Sequence, residues 1–233
     1  MNRSSFLLLG FSVAFLVFFF GPAFLGGPFG AYPLMNAGSA FDLLTPLVLI
    51  PLYWLLFEAG SQRAPSRAET VVFLVLAALW VEGQGMHLAA NSIAKHLKGL
   101  VGTDAAVLTN FYDERLGHYL WHGALLGLAA LLLYRYWEGA QTELRPARWA
   151  EALAGAIHGF AFAAILLEGG TVAIGAPFAV LAAVLSLVWN GRHVGRRPLQ
   201  IFFLVAFTLA TLLFVGWRLA WGEWIEPSEW LGF

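Results

Sequence analysis

Long apolar stretches separated by short polar connections dominate the pattern of this chain. Seven stretches are each long enough for a helix that crosses a membrane, since a hydrocarbon core needs about 20 apolar residues. They run over residues 5–26, 39–58, 69–95, 106–136, 148–168, 171–190 and 198–220, and no connection is long enough for a separate domain. The pattern therefore predicts an all-α polytopic membrane protein with seven transmembrane helices, in which residues 1–233 form a single transmembrane helical domain.

The composition supports the same class of protein. Hydrophobic residues make up 60% of the chain and charged residues only 12%, with a mean hydropathy of +0.73. A soluble domain carries about 25% charged residues, so this chain cannot cover a water-facing surface. The net charge of −1 gives no field that attracts nucleic acid. The absence of cysteine excludes thiolate metal ligands and disulfides.

Positively charged residues are distributed unevenly among the connections. The side of the N-terminus holds Arg3, Arg63, Arg67, Arg135, Arg145, Arg148, Arg192, Arg196 and Arg197. The other side holds Lys95, Lys98, Arg115 and Arg218. Because Lys and Arg are enriched in cytoplasmic loops, we expect the N-terminus inside and the C-terminus outside, in the plasma (inner) membrane. The tail after Arg218 has three Trp and three Glu, which favours an amphipathic segment at the outer interface.

Ionisable and polar residues gather in the third, fourth and fifth stretches at matching depths. The set is Glu82, His87 and Asn91, then Asp113, Glu114, His118 and His122, then His158 and Glu168. An ionisable side chain in the bilayer costs about 2.5–3.5 kcal/mol on insertion scales, so such a set indicates a functional site. The site is expected to face the extracytoplasmic side.

The angular positions of these residues around their helices indicate which of them share a face. Residues four apart share a helix face, so Glu114, His118 and His122 form one stripe. Glu82 and Asp113 each precede a histidine by five residues, which is about 140° around a helix. A straight helix would turn both away, although a bend at Gly83 and Gly85 would return Glu82. We interpret Asp113 as holding a ligand histidine or pairing with Arg115.

Imidazole and carboxylate groups without thiolates are typical of zinc or non-haem iron sites. The predicted ligands are His87, His118, His122 and His158. Zinc is the first expectation, with iron or copper as the alternatives, and the surplus of ligands leaves a two-metal site open. The predicted catalytic carboxylates are Glu114, Glu82 and Asp113, and Asn91, Glu168 and Arg115 are predicted to support the ligands or contact substrate. His96 and His193, in loops, are expected to be solvated.

The pair in His118-Tyr119-Leu120-Trp121-His122 resembles the HxxxH pair of the alkaline ceramidase, adiponectin-receptor and Per1 superfamily. Those proteins are seven-helix membrane hydrolases that bind zinc through three histidines, with an Asp and a Ser. The resemblance implies His118 and His122 as the pair, His87 as the third ligand and Asp113 as the acid. It departs from the family in that the pair lies on the fourth stretch rather than the last. Gly83 also stands where the family has Ser.

Three functions are open to such a cluster. The first is a metal-dependent hydrolase of a membrane lipid or another small amphiphilic substrate. The second is a diiron or dicopper oxidoreductase, and the third is a transporter or proton conduit that uses the same groups as a relay. Metal content distinguishes them, because one zinc favours the first, two irons or copper the second, and no metal the third.

Overall fold

Helices form almost all of the computed structural model, which describes residues 3–59, 61, 63–138, 148–188 and 198–231. The α-helices in this part are α1 (Arg3–Phe20), α2 (Ala37–Asp42), α3 (Leu44–Ala59), α4 (Arg67–Ala94), α5 (Asp104–Asn110), α6 (His118–Glu138), α7 (Arg148–Glu168), α8 (Val172–Val188), α9 (Pro198–Trp221) and α10 (Pro227–Leu231). Phe111–Gly117, between α5 and α6, form a π-helix that we call the π segment. A short antiparallel hairpin joins β1 (Pro28–Phe29) to β2 (Tyr32–Asn36), and 3-10 turns lie at Gly21–Phe24 and Lys98–Leu100.

Six segments of the described chain are long and apolar enough to cross a membrane. They are Arg3–Phe24, Ala37–Ala59, Arg67–Ala94, Asp104–Tyr136, Arg148–Glu168 and Pro198–Trp221. The remaining predicted stretch forms α8, which is shorter at 17 residues, and residues 189 and 190 of that stretch lie outside the described part. Large apolar side chains such as Leu47, Leu74 and Leu181 are exposed on these helices. A water-soluble protein rarely exposes so much apolar surface, so these helices indicate an integral membrane protein.

Helix α7 is the centre of the packing, and small residues let α9 approach it closely. A Cβ on Gly155 would lie 2.6 Å from the carbonyl oxygen of Phe202, and one on Gly159 would overlap the carbonyl oxygen of Ala206. Helix α1 packs on another side of α7, so α7 is largely enclosed. Close backbone approach through small residues is how helices associate in lipid, where no hydrophobic effect drives them together.

A buried polar clamp holds three helices at the end away from the hairpin. The Arg135 side chain is 1% exposed, and its Nε donates to the carbonyl oxygen of Phe57 at 2.6 Å. Its remaining nitrogens donate to the carbonyl oxygen of Arg63 and to the Glu69 carboxylate. Glu69 also accepts from the Arg63 guanidinium at 2.6 and 2.7 Å and from the backbone N–H of Ser66. The clamp ties α6 to the end of α3 and the start of α4.

Candidate functional site

A cavity of about 450 Å³ opens at the opposite end of the helices from the clamp. Its lining residues come from α1 and the 3-10 turn after it, α2, α4, the π segment, α6, α7 and the C-terminal tail. They are Phe19, Pro22, Ala23, Asp42, His87, Asn91, Glu114, His118, Trp121, His122, Ile165, Glu168, Gly169, Glu226 and Ser228. Six predicted site residues are among them: His87, Asn91, Glu114, His118, His122 and Glu168. The structure therefore brings together most of the site residues that helix phase and depth predicted.

Three histidine rings form a continuous row along one wall of the cavity. The ring centroids of His87 and His118 are 4.4 Å apart, and those of His118 and His122 are 5.4 Å apart with nearly parallel planes. Trp121 packs beside the row, 4.5 Å from His122 by ring centroids. The row arises because His118 and His122 are one turn apart on α6, while α4 carries His87 to the same level.

Two glycines allow α4 to come this close to the other wall. A Cβ on Gly83 would lie 2.5 Å from the backbone nitrogen of Trp121 and 2.8 Å from the carbonyl oxygen of Gly117. A Cβ on Gly117 would in turn lie 3.0 Å from the backbone nitrogen of His87. The bend at Gly83 that would have returned Glu82 to the site is absent, since α4 continues as an α-helix through it. Its role in the structure is close helix contact.

Each histidine in the row has a polar neighbour at the same ring nitrogen. Nδ1 of His122 lies 2.6 Å from the Thr171 hydroxyl, and Nδ1 of His118 lies 3.4 Å from the carbonyl oxygen of Glu114. Nδ1 of His87 is 2.7 Å from Oδ1 of Asp113, although the two atoms are not aligned as a hydrogen bond. Within the described part of the chain, the polar contacts of these rings all involve Nδ1. The Nε2 atoms are left for another partner, and Nε2 of His122 is buried without one.

The π segment explains why Asp113 reaches this row. A regular α-helix would place it about 140° from His118, as the spacing of five residues predicts. In a π-helix the hydrogen bonds run from residue i to i+5, so residues five apart lie closer in phase. Asp113 is buried beside His87 rather than turned away. Of the two roles predicted for it, contact with a histidine is the one the structure shows; Arg115 is exposed and does not line the cavity.

Two further predicted site residues lie away from the cavity. Glu82 is exposed on α4, because this helix stays regular and the five-residue spacing turns Glu82 away from His87. His158 is buried among aromatic rings instead of joining His122. Its ring centroid lies 4.4 Å from that of Phe15, 5.4 Å from Phe11 and 5.2 Å from Phe202. The prediction that His158 joins His122 is therefore wrong, because its side chain points to a different neighbourhood.

The structure describes one of the two loop histidines. His96 is exposed at the end of α4, as expected for a solvated side chain. His193 lies outside the described residues, together with Arg145, Arg192, Arg196 and Arg197.

The sequence did not indicate two further carboxylates of the cavity. The first is Asp42, the last residue of α2. Its carboxylate accepts from the Gln84 amide at 2.7 Å and the Thr45 hydroxyl at 3.0 Å. The contact with Gln84 joins residues 42 positions apart, so no local pattern would have revealed it.

The second of these carboxylates, Glu226, comes from the tail. The chain reverses after α9 at Gly222, which has φ +74°, and the tail folds back over the cavity. Burial, together with the nearby carboxylates of Glu114, Glu168, Glu229 and Asp113, raises the pKa of Glu226 to about 7. The expectation of an amphipathic tail identified the segment but not this contribution to the cavity.

The donors match a metal site in type but not in arrangement. Neutral imidazole nitrogens held by a carboxylate, a carbonyl and a hydroxyl at Nδ1 are typical of metal-binding histidines. Among the described residues, however, no three His, Asp or Glu side chains are placed to hold an ion as they stand. Binding an ion would require these side chains to move closer together.

Comparison with protein-family models, with curated proteins and with solved structures found no match to this chain. The geometry of the cavity is therefore the basis for assigning a function.

Proposed function

We propose that the protein is an integral membrane metalloenzyme, a hydrolase of a lipid or another amphiphilic substrate. The observation that carries the proposal is the row of three adjacent histidine rings on one cavity wall. The described polar contacts of His87, His118 and His122 use Nδ1, which leaves the Nε2 atoms as candidate metal donors. The resemblance of the HxxxH pair to the alkaline ceramidase superfamily agrees with this choice.

In the proposed site, His87, His118 and His122 would hold one divalent ion, with zinc the first candidate. Such an ion would supply Lewis-acid polarisation of a substrate carbonyl group. Within the chain, Thr171 contacts Nδ1 of His122, the Glu114 carbonyl contacts Nδ1 of His118, and Asp113 contacts Nδ1 of His87. Contacts of this kind set the tautomer of a ligand histidine, so Nε2 would be the donor atom.

Glu114 is the proposed proton carrier. Its side chain is 42% exposed, lines the cavity, and has Oε2 at 3.8 Å from Nδ1 of His118. A carboxylate so placed meets both water at the mouth and the histidine row, which a general base requires. Phe19 and Ile165 provide an apolar part of the lining for the substrate's chain.

The proposed topology has seven spans, namely the six long apolar segments and, in addition, α8. The N-terminus and the Arg135 clamp then lie at the cytoplasmic side, and the cavity and tail lie at the outer side of the plasma (inner) membrane. The support is the Lys and Arg distribution.

The chain has no cysteine, so single cysteines can be introduced and labelled to test this topology. In intact cells, Val101→Cys should react with an impermeant maleimide and Arg145→Cys should not; the opposite result would reverse the orientation.

Elemental analysis of the purified protein tests the metal site. We expect about one zinc per chain, lost in His87→Ala, His118→Ala and His122→Ala and retained in His96→Ala and His158→Ala. His96 is the solvated control, and His158 is the control for a buried histidine outside the cavity. Full occupancy in all three row variants would contradict the proposal. Two irons or copper per chain would replace the hydrolase with an oxidoreductase.

A further inference from the structure

The mouth of the cavity has an excess of negative charge. The described lining includes the carboxylates of Asp42, Glu114, Glu168 and Glu226 and no Lys or Arg. One nearby cation, Arg218, is instead 5.8 Å from the ring centre of Trp224. A divalent ion on the histidine row would compensate only part of this charge. The cavity thus carries more carboxylates than the proposed metal site requires.

The tail builds part of this mouth. The backbone N–H of Ser228 donates to Oε2 of Glu168 at 3.0 Å, and Nε1 of Trp217 donates to the carbonyl oxygen of Ile225 at 3.0 Å. Oε1 of Glu226 is 3.7 Å from where a Cβ on Gly170 would lie, so it packs against the turn between α7 and α8. These contacts hold Glu168 and Glu226 at the same opening without any cationic partner in the described chain.

Holding these carboxylates together is unfavourable unless a cation joins them. Their mutual repulsion contributes to the raised pKa of Glu226. His122 also lines the cavity, and its buried Nε2 has no partner in the described chain; this observation, separate from the carboxylates, points to a bound ligand.

We infer that the amphiphile taken by this site carries a positively charged amine headgroup, bound at the mouth by Glu168 and Glu226. This inference rests on the proposed function for the substrate's reaction, but the binding preference itself does not depend on the metal. Anionic headgroups such as phosphate would be repelled by the same carboxylates. The cation would sit at the mouth, while the apolar chain follows the lining toward Phe19 and Ile165.

Equilibrium dialysis of the full chain in maltoside micelles tests the preference with three short probes: hexylammonium, hexanol and hexyl phosphate. The metal-loaded and chelator-treated proteins are both used, because an anion could bind through a metal. In the chelated protein, we expect hexylammonium to bind about tenfold more tightly than either other probe. Glu226→Gln should remove most of that preference, and Glu168→Gln/Glu226→Gln all of it. Glu223→Gln, an exposed acid of the tail outside the cavity lining, is the matched control and should match the wild type.

Equal binding of the three probes, or an unchanged preference in the double variant, would overturn the inference. Glu226→Gln conserves size and lies outside the membrane-spanning helices, so it keeps the test valid if Glu168→Gln impairs folding. Metal content is measured on the same samples. A protein that binds metal without preferring hexylammonium contradicts this inference alone. A protein that prefers hexylammonium without binding metal contradicts the proposed metalloenzyme alone.

Discussion

Two carboxylates precede a histidine by five residues, and the structure places them in opposite surroundings. Glu82 precedes His87 within the regular helix α4 and is exposed on its outer face. Asp113 precedes His118 within the π segment and is buried with Oδ1 2.7 Å from His87. The sequence spacing is the same, but the two segments have different helix geometry. One widened turn converts a residue that would face away into a neighbour of the site.

The largest expected difference between these two regions is in catalysis. Glu114→Gln, in the π segment, should keep the metal but lower turnover by about 10²–10⁴-fold, because it removes the proposed proton carrier. Glu82→Gln should leave turnover unchanged. Hydrolysis of a long-chain p-nitrophenyl ester in mixed micelles, with metal content measured in parallel, gives both values. Loss of turnover in Glu82→Gln but not in Glu114→Gln would reverse the assignment of the two acids.

A second prediction concerns how firmly the metal is held. Asp113→Asn should weaken metal affinity by about 10–100-fold, since supporting carboxylates of ligand histidines typically contribute that much. Glu82→Gln should differ little from the wild type. Competition with a fluorescent chelator measures both. An unaffected Asp113→Asn protein would mean that the 2.7 Å approach to His87 has no role in binding.

The third prediction tests the close contact of Gly83 on α4 with the π segment and the start of α6. Gly83→Ala places a Cβ 2.5 Å from the backbone of Trp121, so the helices must separate, at a cost of about 1–3 kcal/mol in the free energy of unfolding. Gly85→Ala, two residues away with no atom within 4 Å of its Cβ, should instead stabilise the helix by up to about 1 kcal/mol. Unfolding in mixed micelles, followed by circular dichroism, compares them. Equal effects would show that α4 is not held at Gly83.

The smallest expected effect is a pH dependence of the tail that faces the π segment. Folding raises the pKa of Glu226 from 4.5 to about 7, so the folded protein binds the proton more tightly than the unfolded one. The resulting stabilisation is complete below pH 4.5 and decreases as the pH rises to 7 and above. Hydrogen exchange of residues 222–231, corrected for the intrinsic rate, should therefore accelerate between pH 5 and 8. Glu226→Gln should abolish the trend and Glu223→Gln should retain it.

Much of the fold followed from the lengths of the apolar stretches, and much of the site from spacing along single helices. His118 and His122 share a face because of a four-residue spacing, and His87 joins them because antiparallel neighbours match in depth. Asp113 required the π segment, which no local residue pattern announces. His158 was assigned to the site by depth alone, but the rings of Phe11 and Phe15 show that it points elsewhere. Asp42 and Glu226 depend on contacts between distant parts of the chain.

The Arg135 clamp has a consequence for how accurately the histidine row is placed. Arg135 and His118 lie on the same helix, separated by about 25 Å at 1.5 Å per residue. By donating to main-chain oxygens of Phe57 and Arg63, Arg135 fixes the height and rotation of α6 against α3 and α4. If α6 tilted by a small angle at its Arg135 end, His118 at the other end would be displaced sideways. The alignment of His118 with His87 therefore depends on an anchor at the opposite end of α6.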